Sequence, residues 1–133
     1  MTDFDLREFY IGYGNALNER RYDDVEKFVA DKVVLNGRVS TREEMIANVK
    51  ATVAAVPDFR WELDEFLVDG ERIAARVTNT GTPEKEWMGV KPTGRSFRIV
   101  EHTMYRVTDG RFVEMNWLHD AADAARQLGT DAA

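Results

Sequence analysis

Through the first third of the chain, apolar residues recur at spacings of three and four. Leu6, Phe9, Tyr10, Tyr13, Ala16 and Leu17 form one stripe, which predicts an amphipathic helix over residues 2–21 with Thr2 as its N-cap. Gly12 and Gly14 lower the helix propensity of this stretch, and such glycines serve either close packing against a sheet or room for a ligand. Asp23 with Glu26 three positions on reads as a capping box, and Val25, Phe28 and Val29 give a short second helix. A strand is expected over residues 32–36, ended by the Asn36-Gly37 turn signal. Thr41 and Glu44 then open a third helix carrying Met45, Ile46, Val49, Val53 and Val56, and Pro57 ends it by excluding Val56 from the helical region.

Beyond Pro57 the period drops to two. Phe59, Trp61, Leu63 and Leu67 alternate with Arg60, Glu62, Asp64 and Val68, and Asp69-Gly70 turns the chain into a strand bearing Ile73, Ala75 and Val77. A loop over residues 81–94 holds Pro83, Pro92, Trp87 and Met88. Residues 95–120 read as one long hairpin about Asp109-Gly110, with His102 and His119, the two histidines of the chain, on its two arms. A short helix from about Ala121 to Leu128 follows, with Gly129 as its C′ residue and residues 130–133 as a flexible tail. Helices segregated from a mostly antiparallel sheet define an α+β class, and a strongly curved sheet wrapped by helices encloses an apolar cavity.

Composition narrows the function. A chain of 133 residues, 44% apolar and 32% charged, fits one domain over residues 1–133, and no apolar run approaches the ~20 residues that span a bilayer. The start, Met-Thr-Asp-Phe-Asp-Leu-Arg, lacks the apolar core of a secretion signal, so the expected location is cytoplasmic. A net charge of −6 with dispersed basic residues argues against nucleic acid as a partner. Without cysteine there is no disulfide, thiolate nucleophile or Cys-ligated metal. Dinucleotide, phosphate-loop and zinc-helix motifs are absent too, which leaves general acid–base chemistry without metal or cofactor.

The candidates for that chemistry are Asp120 and His102. Asp120 precedes the last helix with Asp123 three residues on, and there a carboxylate acts as an N-cap with a lowered pKa. Facing an apolar cavity instead, it would be raised toward neutrality and able to exchange a proton. Whether His102 meets Asp120 depends on the turn. A two-residue Asp109-Gly110 turn sets His102 opposite Trp117 and puts His102 and Asp120 on opposite faces. A three-residue turn from Thr108 to Gly110 sets His102 opposite Asn116, on one face with Leu118 and Asp120, and moves His119 to the other. Trp61, Trp87, Met88 and Trp117 serve either as an aromatic cavity lining or as core. Asn36 is a turn residue that could also donate a hydrogen bond into a pocket.

The stretch from Trp87 through Met88-Gly89-Val90-Lys91-Pro92-Thr93-Gly94 to Arg95, the run Asp109-Gly110-Arg111-Phe112-Val113-Glu114, then Asp120 and Gln127-Leu128-Gly129, together resemble the SnoaL-like polyketide cyclase (ester cyclase) family. So does Ala16-Leu17-Asn18 ahead of Asp23, and the resemblance spans nearly the whole chain. It implies a nuclear-transport-factor-2-like cone: a curved, mostly antiparallel sheet wrapped by the N-terminal helices. It implies closure of the last ring of an aromatic polyketide ester by intramolecular aldol condensation, without metal or cofactor. Asp120 would be the general acid/base, with His102 polarising the enolate and Asn36 a polar pocket residue; with Trp61, Trp87, Met88 and Asn116, Asn36 makes up the expected substrate-binding set. Asn116 stands where many members carry a tryptophan. A small hydrophobic or aromatic substrate is the expected partner, with a second copy of the chain on the open sheet face as a homodimer. The alternatives are a non-catalytic domain binding a small hydrophobic molecule on the same fold, a related isomerase or hydrolase, and an accessory domain acting through oligomer contacts.

Overall fold

The structure is a computed structural model that describes residues 4–129. Thr2 and the tail at 130–133 lie outside the described residues. The first helix, α1, runs Leu6–Asn18, and Asp5 caps it by accepting from the backbone N–H of Arg7 at 2.9 Å and of Glu8 at 3.2 Å. Its buried residues are Tyr10, Tyr13, Ala16 and Leu17, the inner part of the predicted stripe. Helix α2, Tyr22–Lys27, has Arg21 at its N-cap with no side-chain cap bond, so the expected Asp23–Glu26 box does not form. The chain is already helical at Tyr22, two residues too early for Asp23 to cap it, and Val29 opens a strand instead of continuing the helix.

Strand β1, Val29–Leu35, starts earlier than expected, and a short strand, β2 (Arg38–Thr41), pairs with it through the Asn36-Gly37 turn. Sequence reading passes over β2 because its four residues supply a single buried side chain, Ser40. Helix α3, Arg42–Ala55, begins as expected: the Thr41 hydroxyl oxygen accepts from the Glu44 N–H at 3.1 Å and the hydroxyl donates to the Glu44 carboxylate at 3.2 Å. Four long strands follow, β3 (Arg60–Asp69), β4 (Arg72–Gly81), β5 (Phe97–Thr108) and β6 (Arg111–His119), and α4, Ala121–Leu128, closes the fold with Gly129 left-handed at φ 71°.

The strands form one curved six-stranded sheet in the order β2-β1-β6-β5-β4-β3. All neighbouring pairs are antiparallel except β1 with β6. Two irregularities set its faces. In β3 the register passes from Leu63 opposite Val77 to Glu65 opposite Arg76, leaving Asp64 as an extra residue, so Phe66 rather than Leu67 joins the inner face. In β6 it passes from Phe112 opposite Val107 to Glu114 opposite Arg106, with Val113 extra. Each bulge keeps apolar residues inward on both sides of it, since strict alternation from Phe112 would have turned Glu114 and Asn116 into the core.

The inner face packs against α1 and α3 around an aromatic group centred on Phe112, which is fully buried. Its ring centroid lies 5.0 Å from that of Phe9, 4.8 Å from Tyr13 and 5.1 Å from Tyr105, all edge-on, the arrangement that the ring quadrupole favours. A second cluster of Val56, Phe59, Trp87, Phe97, Ile99 and Leu128 closes the end of the sheet under α4. Two side-chain amides pin helices to strand backbone. Asn18 donates to the Trp61 carbonyl at 2.8 Å and accepts from its N–H at 2.9 Å. Gln127 does the same to Arg98, at 2.8 Å and 2.7 Å, while Thr93 donates to the Leu128 carbonyl at 2.7 Å. The Pro-Thr-Gly-Arg and Gln-Leu-Gly segments are thus joined at this corner. Among the described residues no helix is long and apolar enough to cross a membrane.

Truncating Phe112 removes the common contact of these rings. Phe112→Ala is expected to cost about 3–5 kcal/mol of unfolding free energy by denaturant titration, with the slope of the transition unchanged.

Candidate active site

The inward-facing residues of β5 are Phe97, Ile99, Glu101, Thr103, Tyr105 and Val107, an apolar row interrupted by a carboxyl group. Glu101 is only 5% exposed, and burial pushes its carboxyl up to about 7. On one side β4 sets Asn79, which is fully buried; on the other, β6 sets His119 directly opposite Glu101. The Asn79 amide nitrogen donates to Glu101 Oε1 at 3.1 Å, and its Oδ1 lies 2.8 Å from His119 Nδ1. With the amide oriented by Glu101, Oδ1 accepts from Nδ1–H, which makes Nε2 the basic nitrogen of the imidazole. Nε2 lies 3.8 Å from Glu101 Oε2. Burial lowers the imidazole pKa to about 4, so between about 4 and 7 the pair holds a protonated carboxyl beside a neutral imidazole.

Glu101 stands at the junction of two hollows. The larger, about 590 Å³, lies between α1 and β3 and is lined by Tyr10, Tyr13, Trp61, Phe66, Thr103 and Tyr105 among others. The smaller, about 60 Å³, is lined by Asn48, Thr52, Trp117 and His119 and opens beneath α3. Tyr10 and Thr103 share a buried hydroxyl–hydroxyl bond of 3.0 Å in the larger one, and burial keeps the Tyr10 phenol protonated. Gly14 also borders this cavity, and a Cβ there would meet nothing within 4 Å, whereas a Cβ at Gly12 would touch Phe28 at 3.4 Å. One glycine therefore leaves room for a ligand and the other packs. The arrangement can deliver a proton to, or take one from, an apolar molecule in the cavity without stabilising a net charge.

The expected residues distribute differently. The Asp109-Gly110 turn is the two-residue form, with Thr108 opposite Arg111 and both turn residues at positive φ, 52° and 76°. The bulge at Val113 then moves the register again, so His102 opposes Leu118 rather than Trp117 or Asn116. His102 is therefore exposed on the outer face, which corrects the expectation that it enters the cavity. Asp120 is exposed and caps α4, its Oδ1 accepting from the Asp123 N–H at 3.0 Å. Neither residue borders either hollow, because the sheet pleat that turns Glu101 and His119 inward turns their chain neighbours out.

Trp61 does border the cavity, while Trp87 is buried in the second cluster, its ring stacked 4.4 Å from Phe97, with Met88 packed beside it. Asn116 lies on the outer face, donating to the Met104 carbonyl at 3.2 Å and to Glu114 at 3.0 Å. Asn36, at φ 48°, accepts from the Trp117 N–H at 2.8 Å and so fastens the end of β1 to β6 rather than facing a ligand. Sequence reading did not single out Glu101 and Asn79. The available signal was phase: each is a polar residue in step with the apolar positions of its strand.

Solved structures share this architecture. A SnoaL-like polyketide cyclase from Agrobacterium tumefaciens is 28% identical, with a TM-score of 0.90 over 96% of this chain and 100% of that one. IdmH of Streptomyces antibioticus, a candidate polyketide cyclase, is 28% identical with a TM-score of 0.85 over 95% and 99% of the two chains. TsrD of Streptomyces laurentii, at 23% identity and a TM-score of 0.86 over 97% and 100%, shares the fold. A comparison with curated proteins finds no match. The sequence profile described as SnoaL-like polyketide cyclase matches residues 7–128, which takes in every helix and strand, the cavity and its buried acid. With the nuclear-transport-factor-2-like fold that these structures share, the chain belongs to the SnoaL-like polyketide cyclase family.

Proposed function

We propose that the protein is a cofactor-independent cyclase-type enzyme acting on a small hydrophobic or aromatic substrate with an enolisable carbonyl, and that Glu101 exchanges the proton. The observation that carries this reading is a buried carboxyl, tuned to about 7, at the buried end of an aromatic cavity and beside a neutral imidazole. As pH rises through about 7 Glu101 becomes a carboxylate able to take a proton from the carbon next to the substrate carbonyl. The resulting enolate carbon attacks the second carbonyl of the same molecule, forming the ring bond. The alkoxide so made takes the proton back from Glu101, and the product is an isomer of the substrate. Tyr10 and Thr103 hydroxyls on the same wall supply donors for the developing enolate oxygen. On this reading the acid–base role that the resemblance implies for Asp120 falls to Glu101, beside His119, the residue immediately before Asp120.

Solvent deuterium entry beside the carbonyl of a bound aryl ketone such as 2-tetralone, followed by NMR, tests the assignment. Glu101→Gln is expected to slow exchange by about 10²–10⁴-fold and Asp120→Asn to leave it within about threefold. Full exchange in Glu101→Gln would overturn the assignment. A change confined to affinity would favour a binding domain on the same fold.

Stability should follow pH through the same pair. Glu101 has a folded pKa of about 7, above its ordinary 4.5, so its contribution is complete below the lower value and lost as pH rises through the upper. His119 has a folded pKa of about 4, below its ordinary 6.5, so its contribution is absent at low pH and grows as pH rises from the lower value to the upper. The two slopes oppose each other. Calorimetric melting between pH 4.5 and 6.5 should therefore show Tm rising with pH in Glu101→Gln and falling in His119→Gln, with the parent protein flatter than either. Equal slopes in the two variants would contradict the tuned pair.

The outer face of the sheet is proposed to carry a homodimer contact. Leu118, 75% exposed, and Met104, 51% exposed, flank His102 and Asn116 there. Light scattering should give twice the chain mass, and Leu118→Glu should give the monomer with Glu101-dependent exchange retained.

A further inference from the structure

The rim of the larger cavity carries both signs of charge, and among the described residues its acids have cation neighbours while its cations pair with no acid. Glu62, Asp64 and Glu65 line it from β3, with two cations behind the three, Arg76 shared by Asp64 and Glu65 and Arg98 behind Glu62. Glu65 is 3.1 Å from Arg76 Nε, Asp64 is 4.0 Å from Arg76 Nη1 and accepts from the Thr78 hydroxyl at 2.5 Å, and Glu62 is 4.0 Å from Arg98. Arg7 faces them from α1. Its guanidinium carbon lies 4.5 Å from the centroid of the Phe66 ring, and among the described residues that guanidinium has no carboxylate or carbonyl partner.

A cation over an aromatic face spends no N–H donor on it, so the guanidinium keeps the paired N–H groups that bind a carboxylate through two parallel bonds. Phe66 is itself held edge-on against Tyr10, 5.8 Å between centroids, and Tyr10 reaches Thr103, two positions from Glu101 on β5. One wall thus runs from a cation with no acid partner among the described residues, over aromatic surface, to a proton donor at the buried end.

We propose that Arg7 anchors a carboxylate, so that the molecule this cavity takes is an aromatic free acid whose enolisable carbonyl lies at the end remote from the carboxylate. The inference rests on the reading of the cavity as the substrate site, and it adds the charge of the substrate and the end by which it is held. An ester or amide at that end would leave the guanidinium without its second bond and without charge pairing. The remaining rim cation, Arg60, stands at the other end of the slot, beside the Asn18–Trp61 clasp, and provides the comparison.

The test uses 6-acetyl-2-naphthoic acid and its methyl ester, which differ only in charge at one end and carry an enolisable acetyl group at the other. Binding to the full chain is measured by calorimetry at low salt. The acid is expected to bind at least about 10-fold more tightly than the ester, equivalent to about 1.4 kcal/mol. Arg7→Gln should reduce that preference to less than about twofold by weakening the acid alone, and Arg60→Gln should keep it. Equal binding of acid and ester, or a preference that survives Arg7→Gln or disappears in Arg60→Gln, would overturn the proposal while leaving the cavity as the substrate site. Failure of both probes to bind would overturn the two together. Deuterium entry into the bound acetyl group reads Glu101 separately: its loss in Glu101→Gln with the acid preference intact supports both claims, and its persistence there sinks only the catalytic assignment.

Discussion

A pleated strand shows the interior only every second residue, and this constraint decides what the protein can do. Four long strands line the cone, so one shift by a single residue exchanges a whole row of side chains between cavity and solvent. In β6 the shift occurs at Val113, between Phe112, which the aromatic group needs inside, and Met115, Trp117 and His119, which follow inside at odd spacing. Had Val113 taken a regular place in the ladder, His119 would point outward and Glu101 would lose its imidazole neighbour. The chemistry of the site is therefore a consequence of a backbone irregularity several residues away from it.

The buried carboxyl illustrates a related economy. A carboxylate fully removed from water is costly, and a neutral carboxyl with one donor on it is far less so. Asn79 supplies that donor and at the same time fixes the imidazole tautomer, so one amide sets the protonation of two groups. Between about pH 4 and 7 the pair carries no net charge, which suits its burial among aromatic side chains.

Much of the fold was legible from spacing alone. The helices α1, α3 and α4, the Thr41 cap, the two long hairpins and the Asp109-Gly110 turn follow from periodicity and turn chemistry. The strand β2 was not, since so short a strand carries little pattern. The site was legible only in part. His102 and Asp120 attracted notice as a histidine within a strand and an acid before a helix, yet both lie outside the cavity because register, not residue type, decides facing. The spacing of three between Phe112 and Met115, and between Leu63 and Phe66, was the mark of the bulges, and it indicates which neighbours turn inward. Glu101 in phase with Ile99 and Tyr105 was the corresponding mark of the site.

The clasp of Asn18 on Trp61 has a consequence beyond holding α1 in place. Strand β3 is the longer of the two edge strands of the sheet, and an edge of ten residues is a template on which another chain can add a strand. Asn18 already occupies both the N–H and the carbonyl of Trp61, Arg20 occupies the carbonyl of Phe59 at 2.8 Å, and the bulge at Asp64 breaks the straight run beyond them. The same side chains that frame the cavity mouth thus deny the edge to intruding strands, and the protein can keep an open aromatic slot beside an unpaired strand without inviting its own aggregation.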